Sequence, residues 1–356
     1  MRARAYTVPT DQPEQDGTLD WDKTTLVVVN IEAGGHEGIG YTYAAKTNAA
    51  LIAGTLARSI AGRDAFDIAG CTAILRREIR NLGGRGLAAT AISAVDIALW
   101  DLKAKLLDLP LVRLLGVARA QVPIYGSGGF TNYTDARLAE QLGGWVARDG
   151  CRWVKMKIGR DAERDRERVK AARAAIGDAG LFVDANGAFT AKEALAFADD
   201  VQALGVRWFE EPVSSDDLSG LRLLRARMPA PIEVAAGEYH YVLDDMRAML
   251  AAGCVDVMQA DATRCGGVSG FLAAGTLTDA HHLDLSGHCA PSVHLHAACA
   301  VQRLRHLEWF HDHVRIEHML FDGAPVPRNG MIEPDLSRAG LGIVLKRKDA
   351  ERYVDD

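Results

Sequence analysis

From about residue 120 onward, short apolar runs alternate with amphipathic stretches, and each apolar run ends in a residue able to act as an acid, a base or a metal ligand. The marked residues are Lys157 in WVKMKIG, Asp184 in LFVDANG, Glu210 in RWFEEP, Glu238 in IEVAAGE, Asp261 in VDVMQAD, His288 in LDLSGH and Glu308 in HLEWF. By subtraction they lie 27, 26, 28, 23, 27 and 20 residues apart, the length that one strand, one helix and two loops consume. This period predicts an α/β fold built on a (β/α) barrel, in which residues at the carboxyl ends of different strands meet on one open face. One Asp or Glu after a strand is usually a cap or turn former. Seven in phase argue for a shared site.

Helical patterning fills the intervals. Thr190 and Glu193 form a capping box, followed by a buried stripe of Phe197, Val201 and Leu204. Further helices are expected at 217–227, 244–252, 268–280 and 292–304, and the runs 122–126 and 152–158 open the barrel. Residues 1–118 do not follow the period. They show strand-like runs at 4–8 and 24–31, a polar loop at 10–22 and a turn region at 34–40. A helix at 88–107 follows, with Ile92, Val95, Leu99, Leu102 and Leu106 at spacings of three and four, and Pro110 stops it. After Phe310 the pattern lapses, and 330–345 reads as loop and short strand. The expected organisation is an α+β capping domain, 1–118, completed by the returning tail 320–356, with a catalytic barrel at 119–319.

Composition narrows the function. The net charge of −6 gives no electrostatic footprint for nucleic acid or an anionic membrane. No run of about 18 apolar residues occurs, so no membrane-spanning segment is expected. The basic N-terminus has no apolar segment behind it and does not read as a signal peptide. Cys71, Cys151, Cys254, Cys265, Cys289 and Cys299 are scattered without a CxxC pair, which fits reduced, buried thiols of a cytoplasmic protein.

Asp184, Glu210 and Glu238 end three successive strands, so their side chains should converge. Three ionised carboxylates at such range repel one another unless a cation sits between them, and an all-oxygen set favours Mg²⁺, with Mn²⁺ a substitute. Glu210 and Glu211 are adjacent in a strand and should face opposite ways, so one of them is the ligand. Lys155 and Lys157 share a face two positions apart, which should lower the pKa of at least one toward the range of a general base. Asp261 and His288 suggest a dyad in which the carboxylate fixes the tautomer of the ring. A cation site with a lysine and a histidine on opposite faces suggests removal of the proton next to a carboxylate.

The stretches AISAVDIALWDLKAKLLDLPLVRLLG, KMKIG, DANGAF, FEEP, GE (Gly237, Glu238), DATRCGG, SGH and HLEW, in this order and spacing, resemble the mandelate racemase subgroup of the enolase superfamily. The use of a Lys or His base with Mg²⁺ in that superfamily is a standing generalisation. The resemblance implies a capping domain over a (β/α)₇β TIM-like barrel, with Asp184, Glu210 and Glu238 holding Mg²⁺ and with Lys157 as one base tuned by Lys155. It implies His288 with Asp261 as the second acid/base, Glu308 on the substrate carboxylate or the enolate, and a loop at 10–22 closing over the site. Asp261 stands where the muconate-cycloisomerase-like branch has a lysine. That places the chain with the histidine-dyad branch, mostly sugar-acid dehydratases with some racemases. The expected ligand is a small carboxylate, and the expected assembly a homo-oligomer.

Two other readings compete. A zinc-dependent barrel hydrolase is suggested by His294 and His296, which stand at the spacing of two ligands on a strand among five histidines (His281, His282, His288, His294, His296), although inside a helical pattern. A non-catalytic barrel would require the ligands or bases to be missing.

Overall fold

The computed structural model describes residues 1–355. Strands β1 (Arg2–Gln15), β2 (Asp20–Ala33) and β3 (His36–Tyr43) form an antiparallel sheet, and the helix Leu87–Leu106 lies across it. This helix is buried almost all round, unlike the one-faced helix the spacing of its large residues predicts. The small residues between them explain the difference, because they let backbone approach from the sheet. A Cβ on Gly40 of β3 would stand 2.3 Å from the Ala94 carbonyl oxygen. The helix's other side seats the cap on the barrel through buried Asp96, which accepts from Ser269 N at 3.0 Å and Ser269 Oγ at 2.6 Å.

Eight parallel strands close the barrel among the described residues. They are β4 (Val122–Gly128), β5 (Trp153–Lys157), β6 (Gly180–Asp184), β7 (Val206–Glu210), β8 (Glu233–Ala236), β9 (Val257–Ala260), β10 (Asp284–Gly287) and β11 (Leu304–Phe310). They pair in chain order, and β11 pairs with β4 to complete the ring. Strand alternation fills the interior in layers. Tyr125, Phe182, Trp208 and His306 make one aromatic layer, with ring centroids 4.6 to 6.3 Å apart. Two residues further along the same strands stand Ser127, Asp184, Glu210 and Glu308, on the same face and one layer nearer the carboxyl ends. The functional layer thus rests on a packed aromatic floor.

Four expectations change. The loop expected at 10–22 is mostly a two-stranded ribbon: β1 and β2 pair as far as Pro9 with Lys23, shift register, and pair again at Glu14 with Trp21 and Gln15 with Asp20. Its strands are polar because Trp21, edge-on to Phe130 at 5.4 Å, is the main apolar side chain the ribbon packs inward, beside the buried polar Glu14 and Asp16. The turn expected at 34–40 is confined to Gly34 and Gly35, both in the left-handed region, and β3 begins at His36. The helix expected at 292–304 runs Pro291–Ala300, and β11 starts at Leu304. After Phe310 the chain forms a helix, His311–Leu320, whose buried residues include the polar Asp312, His313 and Glu317, which conceal its apolar stripe. The tail then returns to the cap, where Val354 bridges Tyr6 and Asp355 N donates to Ala5 O.

Candidate active site

Register sets the site. Lys157 pairs with Asp184 and Asp184 with Glu210 across β5, β6 and β7, so the three stand at one level. Glu238 lies beyond β8, after Gly237 with φ 136°, where a Cβ would meet Gln259 O at 2.1 Å. Only glycine fits that turn. Donor atoms of Asp184, Glu210 and Glu238 lie within 4.8 Å of one another. Lys157 Nζ donates to Asp184 Oδ2 at 2.6 Å and to Asn186 Oδ1 at 3.1 Å. Lys155 Nζ contacts Glu210, stands 3.3 Å from Asp184 Oδ2 and 2.9 Å from Glu308 Oε1. Across the mouth, His288 Nδ1 is 2.9 Å from Asp261 Oδ2, whose other oxygen accepts from Thr263 N and Oγ1 at 2.7 Å. The three carboxylates of the triad, the two lysines, the dyad and Glu308 are all buried, none more than 6% exposed.

Lys157 closes β5 and His288 follows β10, with β4 and β11 between them on one side and β6 to β9 on the other. The two nitrogenous groups therefore attend different sides of the carboxylate triad.

Charge follows from burial and proximity. Burial raises the Glu210 carboxyl, Asp184 adds to it, and against the pull of Lys155 it stands at about 8. Asp184 goes the other way: burial opposes its ionisation, but Lys157 and Lys155 hold it at about 2. His288 is disfavoured as a cation by burial, yet Glu238, Glu308 and the Asp261 hydrogen bond raise it. The expected depression of a lysine pKa is not found. Burial and Lys155 both disfavour the Lys157 ammonium, but Asp184, Glu238 and Glu210 together outweigh them and its pKa rises. Lys155 rises as well, because the carboxylates, Glu210 and Glu308 foremost, overcome burial. Like-charge repulsion between the lysines is the smaller effect while the carboxylates stand against them.

Glu211 corrects the alternation argument. It lies one residue past β7 with φ 38°, outside the pleat that would turn it away. It is buried, its Oε1 has no hydrogen-bond partner, and burial together with Glu238, Asp184 and Glu210 raises it well above the usual carboxylate range. The positive φ had no sequence signal. Arg264, in the stretch after Asp261, was also missed; its Nη1 donates to Glu238 O at 3.0 Å.

The extra histidines sort themselves by their partners. His294 Nε2 accepts from Ala262 N at 2.7 Å while Nδ1 lies 3.0 Å from Ala290 O. His296 Nδ1 accepts from Val112 N at 3.1 Å and Nε2 reaches Leu341 O at 3.1 Å. Both rings have both nitrogens engaged with backbone, on different sides of one helix, so they are not a zinc pair. His281 and His282 are exposed at the end of the helix Gly267–Ala280.

The β1–β2 ribbon reaches this mouth. Thr131 N donates to Gln15 O at 2.8 Å and Arg160 Nε to Asp16 O at 2.8 Å, tying the tip to the loops after β4 and β5. A Cβ on Gly17 would stand 2.2 Å from Ala185 O and 2.7 Å from Ile158 O. Gly17→Val must lift the tip from the barrel, and small misplacements at a catalytic centre cost heavily. We expect kcat/KM to fall about 10²-fold with the melting temperature within a few degrees of native. Steady-state kinetics with a thermal melt checks this, and native kinetics would show that the tip is not part of the closed site.

Residues 3–116 match the mandelate racemase/muconate lactonizing enzyme N-terminal domain and residues 137–350 the enolase C-terminal domain-like family. The chain belongs to the mandelate racemase and muconate lactonizing enzyme family and is an enzyme of the enolase superfamily. A mandelate racemase/muconate lactonizing enzyme-like protein from Rubrobacter xylanophilus matches with TM-score 0.97 and 51% identity, over 99% of this chain and 98% of that one. The L-talarate/galactarate dehydratase of Salmonella typhimurium is 32% identical over 93% of this chain and 83% of its own. Its structure with Mg and L-lyxarohydroxamate matches at TM-score 0.90 and 28% identity, over 99% of this chain and 92% of that one. The 3,6-anhydro-alpha-L-galactonate cycloisomerase of Streptomyces coelicolor is 32% identical over 97% and 96% of the two chains.

Proposed function

We propose that this enzyme dehydrates a sugar acid to a 2-keto-3-deoxy acid, beginning with removal of the proton α to the carboxylate to give an enediolate. The observation that carries this reading is the placement of Lys157 and the Asp261–His288 pair on different sides of three converging carboxylates. Asp184, Glu210 and Glu238 fit a hard divalent ion, Mg²⁺ or in its place Mn²⁺. The set is all oxygen, buried Glu238 Oε2 has no hydrogen bond and meets His288 Nε2 at 3.3 Å, and Asp184, Glu308 and Glu238 all act with burial to raise Glu210 against Lys155. When bound, that ion would supply the counter-charge for the enediolate oxygens.

The chain's own groups do the rest. Lys157 Nζ exchanges the α-proton on its side of the carbon, and Lys155 faces the substrate carboxylate. His288, its ring oriented through Nδ1 by Asp261, works at Nε2 on the other side and delivers a proton to the departing β-hydroxyl, which leaves as water. Glu308 is assigned to the substrate carboxylate or enolate oxygens. Because it accepts from Ser127 Oγ at 2.5 Å and is held ionised by Lys155 despite burial, it must take up a proton before it can donate there. The capping unit 1–118, with 320–356, closes over the barrel 119–319, a division supported by the tail's bridge to Tyr6. Six unpaired, buried cysteines support a reducing cytoplasmic setting.

The test is a panel of mono- and diacid sugars assayed with a ketone-detecting reagent and by NMR. A keto product from at least one acid is expected. An epimer alone across the panel would transfer the assignment to racemase or epimerase, and a cyclic isomer without ketone to cycloisomerase.

A further inference from the structure

We propose that His288, Cys289 and Glu308 form a second metal site, beside the carboxylate triad at Glu238, that takes a soft or borderline divalent ion such as Zn²⁺ or Cd²⁺ and shuts the enzyme down by occupying Nε2 of the dyad histidine. The effect on turnover rests on His288 being an acid/base group; the binding does not.

The donors already stand at coordination distances. Cys289 Sγ is 3.3 Å from His288 Nε2 and 3.4 Å from Glu308 Oε2, and Nε2 is 3.6 Å from Oε2. A tetrahedral ion with bonds of about 2.0 to 2.3 Å spaces its ligands about 3.3 to 3.6 Å apart, so the three atoms outline one face of such a site without moving. Each is held by a second contact. Nδ1 of His288 is on Asp261 at 2.9 Å, the carboxylate–histidine–metal arrangement, and Nε2 faces Cys289 and Glu308 with Glu238 Oε2 also 3.3 Å away, where it could complete the set of ligands. Glu308 Oε1 is engaged by Ser127 and by Lys155 at 2.9 Å, which turns Oε2 to the thiol, where it also accepts from Cys289 N at 3.1 Å. Cys289 and Ala290 both adopt left-handed backbone, φ 53° and 40°, in the bend that carries the thiol beside the ring.

Ligand chemistry sorts the two ions. Mg²⁺ takes oxygen and is reluctant to shed water, whereas a thiolate and imidazole select Zn²⁺ and its softer relatives. Binding converts the Cys289 thiol to a metal thiolate, releasing its proton, and also displaces any proton carried on His288 Nε2. Among the described residues the other five cysteines join no such cluster, so a thiolate–metal signal has one source.

Titrating the Mg²⁺-saturated full-length enzyme with Cd²⁺ should raise an ultraviolet thiolate-to-cadmium band that saturates at one equivalent and is absent in Cys289→Ala. Zn²⁺ should abolish native turnover reversibly, and the variant, with each activity taken relative to its own Zn²⁺-free rate, should need at least about tenfold more. Cys289→Ser, nearly isosteric, repeats the test should the alanine variant fold poorly. No band in the native enzyme, or an undiminished band in the variants, overturns the site. A Cys289-dependent band with unchanged turnover leaves the site standing and overturns the acid/base assignment of His288.

Discussion

Asp184→Asn, Glu210→Gln and Glu238→Gln are each expected to lower turnover by about 10³-fold or more, and excess chelator is expected to do the same to the native enzyme. Each substitution removes one of three oxygens that converge within 4.8 Å, and the remaining two hold a divalent ion poorly. The loss should appear in kcat, because the counter-charge acts on negative charge that develops during reaction rather than on the substrate as it arrives. Resupply of Mg²⁺ should restore the chelated native enzyme fully and the variants only in part. Glu211→Gln belongs in this series as well. Its burial beside Glu238, with an unpartnered oxygen, makes it more than the outward-facing neighbour that strand alternation predicts, and a loss of about 10-fold to 10²-fold is expected. Full native turnover in excess chelator would remove the ion from the mechanism.

The barrel was legible because its period is long and its strands are short, so each functional residue announces the end of a strand. The cap was legible where large apolar residues repeat, as in Leu87–Leu106, and was misjudged where polar residues build extended structure. The outer part of the β1–β2 ribbon, 10–22, packs little apolar surface besides Trp21 on Phe130 and so carries no alternating pattern, and its tip is defined by Asp16, whose Oδ1 accepts from Thr18 N and Leu19 N at 2.6 Å. The helix after Phe310 was concealed by Asp312, His313 and Glu317, polar residues that are buried because they pair across elements, as Glu317 does with Tyr41 OH at 2.6 Å. At the site, residues on strands could be placed by register, whereas Glu211 and Cys289 depend on left-handed backbone that residue identity does not reveal. The lysine charge state was misread for a related reason. Sequence spacing shows that the two lysines are neighbours, but the carboxylates that dominate them come from β6, β7 and β11, far away in the chain.

The two proposed acid/base groups, Lys157 and His288, can be told apart whichever reaction is the physiological one. If Lys157 and His288 attend opposite faces of one carbon, each should exchange the α-hydrogen with solvent only in the configuration presented to it. In D₂O, His288→Asn is expected to lose overall turnover by about 10² to 10⁴-fold while still washing deuterium into one configuration through Lys157. Lys157→Ala should show the reverse preference. Asp261→Asn should behave like His288→Asn, because the ring loses the carboxylate at 2.9 Å that orients it and stabilises its protonated form. Asp261 also accepts from Thr263 N and lies 3.5 Å from Arg264 Nε, so a thermal melt of each variant is needed to show that exchange, and not folding, has changed. The measurement is NMR of the α-position in substrate and product. Native turnover in His288→Asn would leave Lys157 to carry both proton transfers, and His288 would then join His294 and His296 as a histidine held for structure.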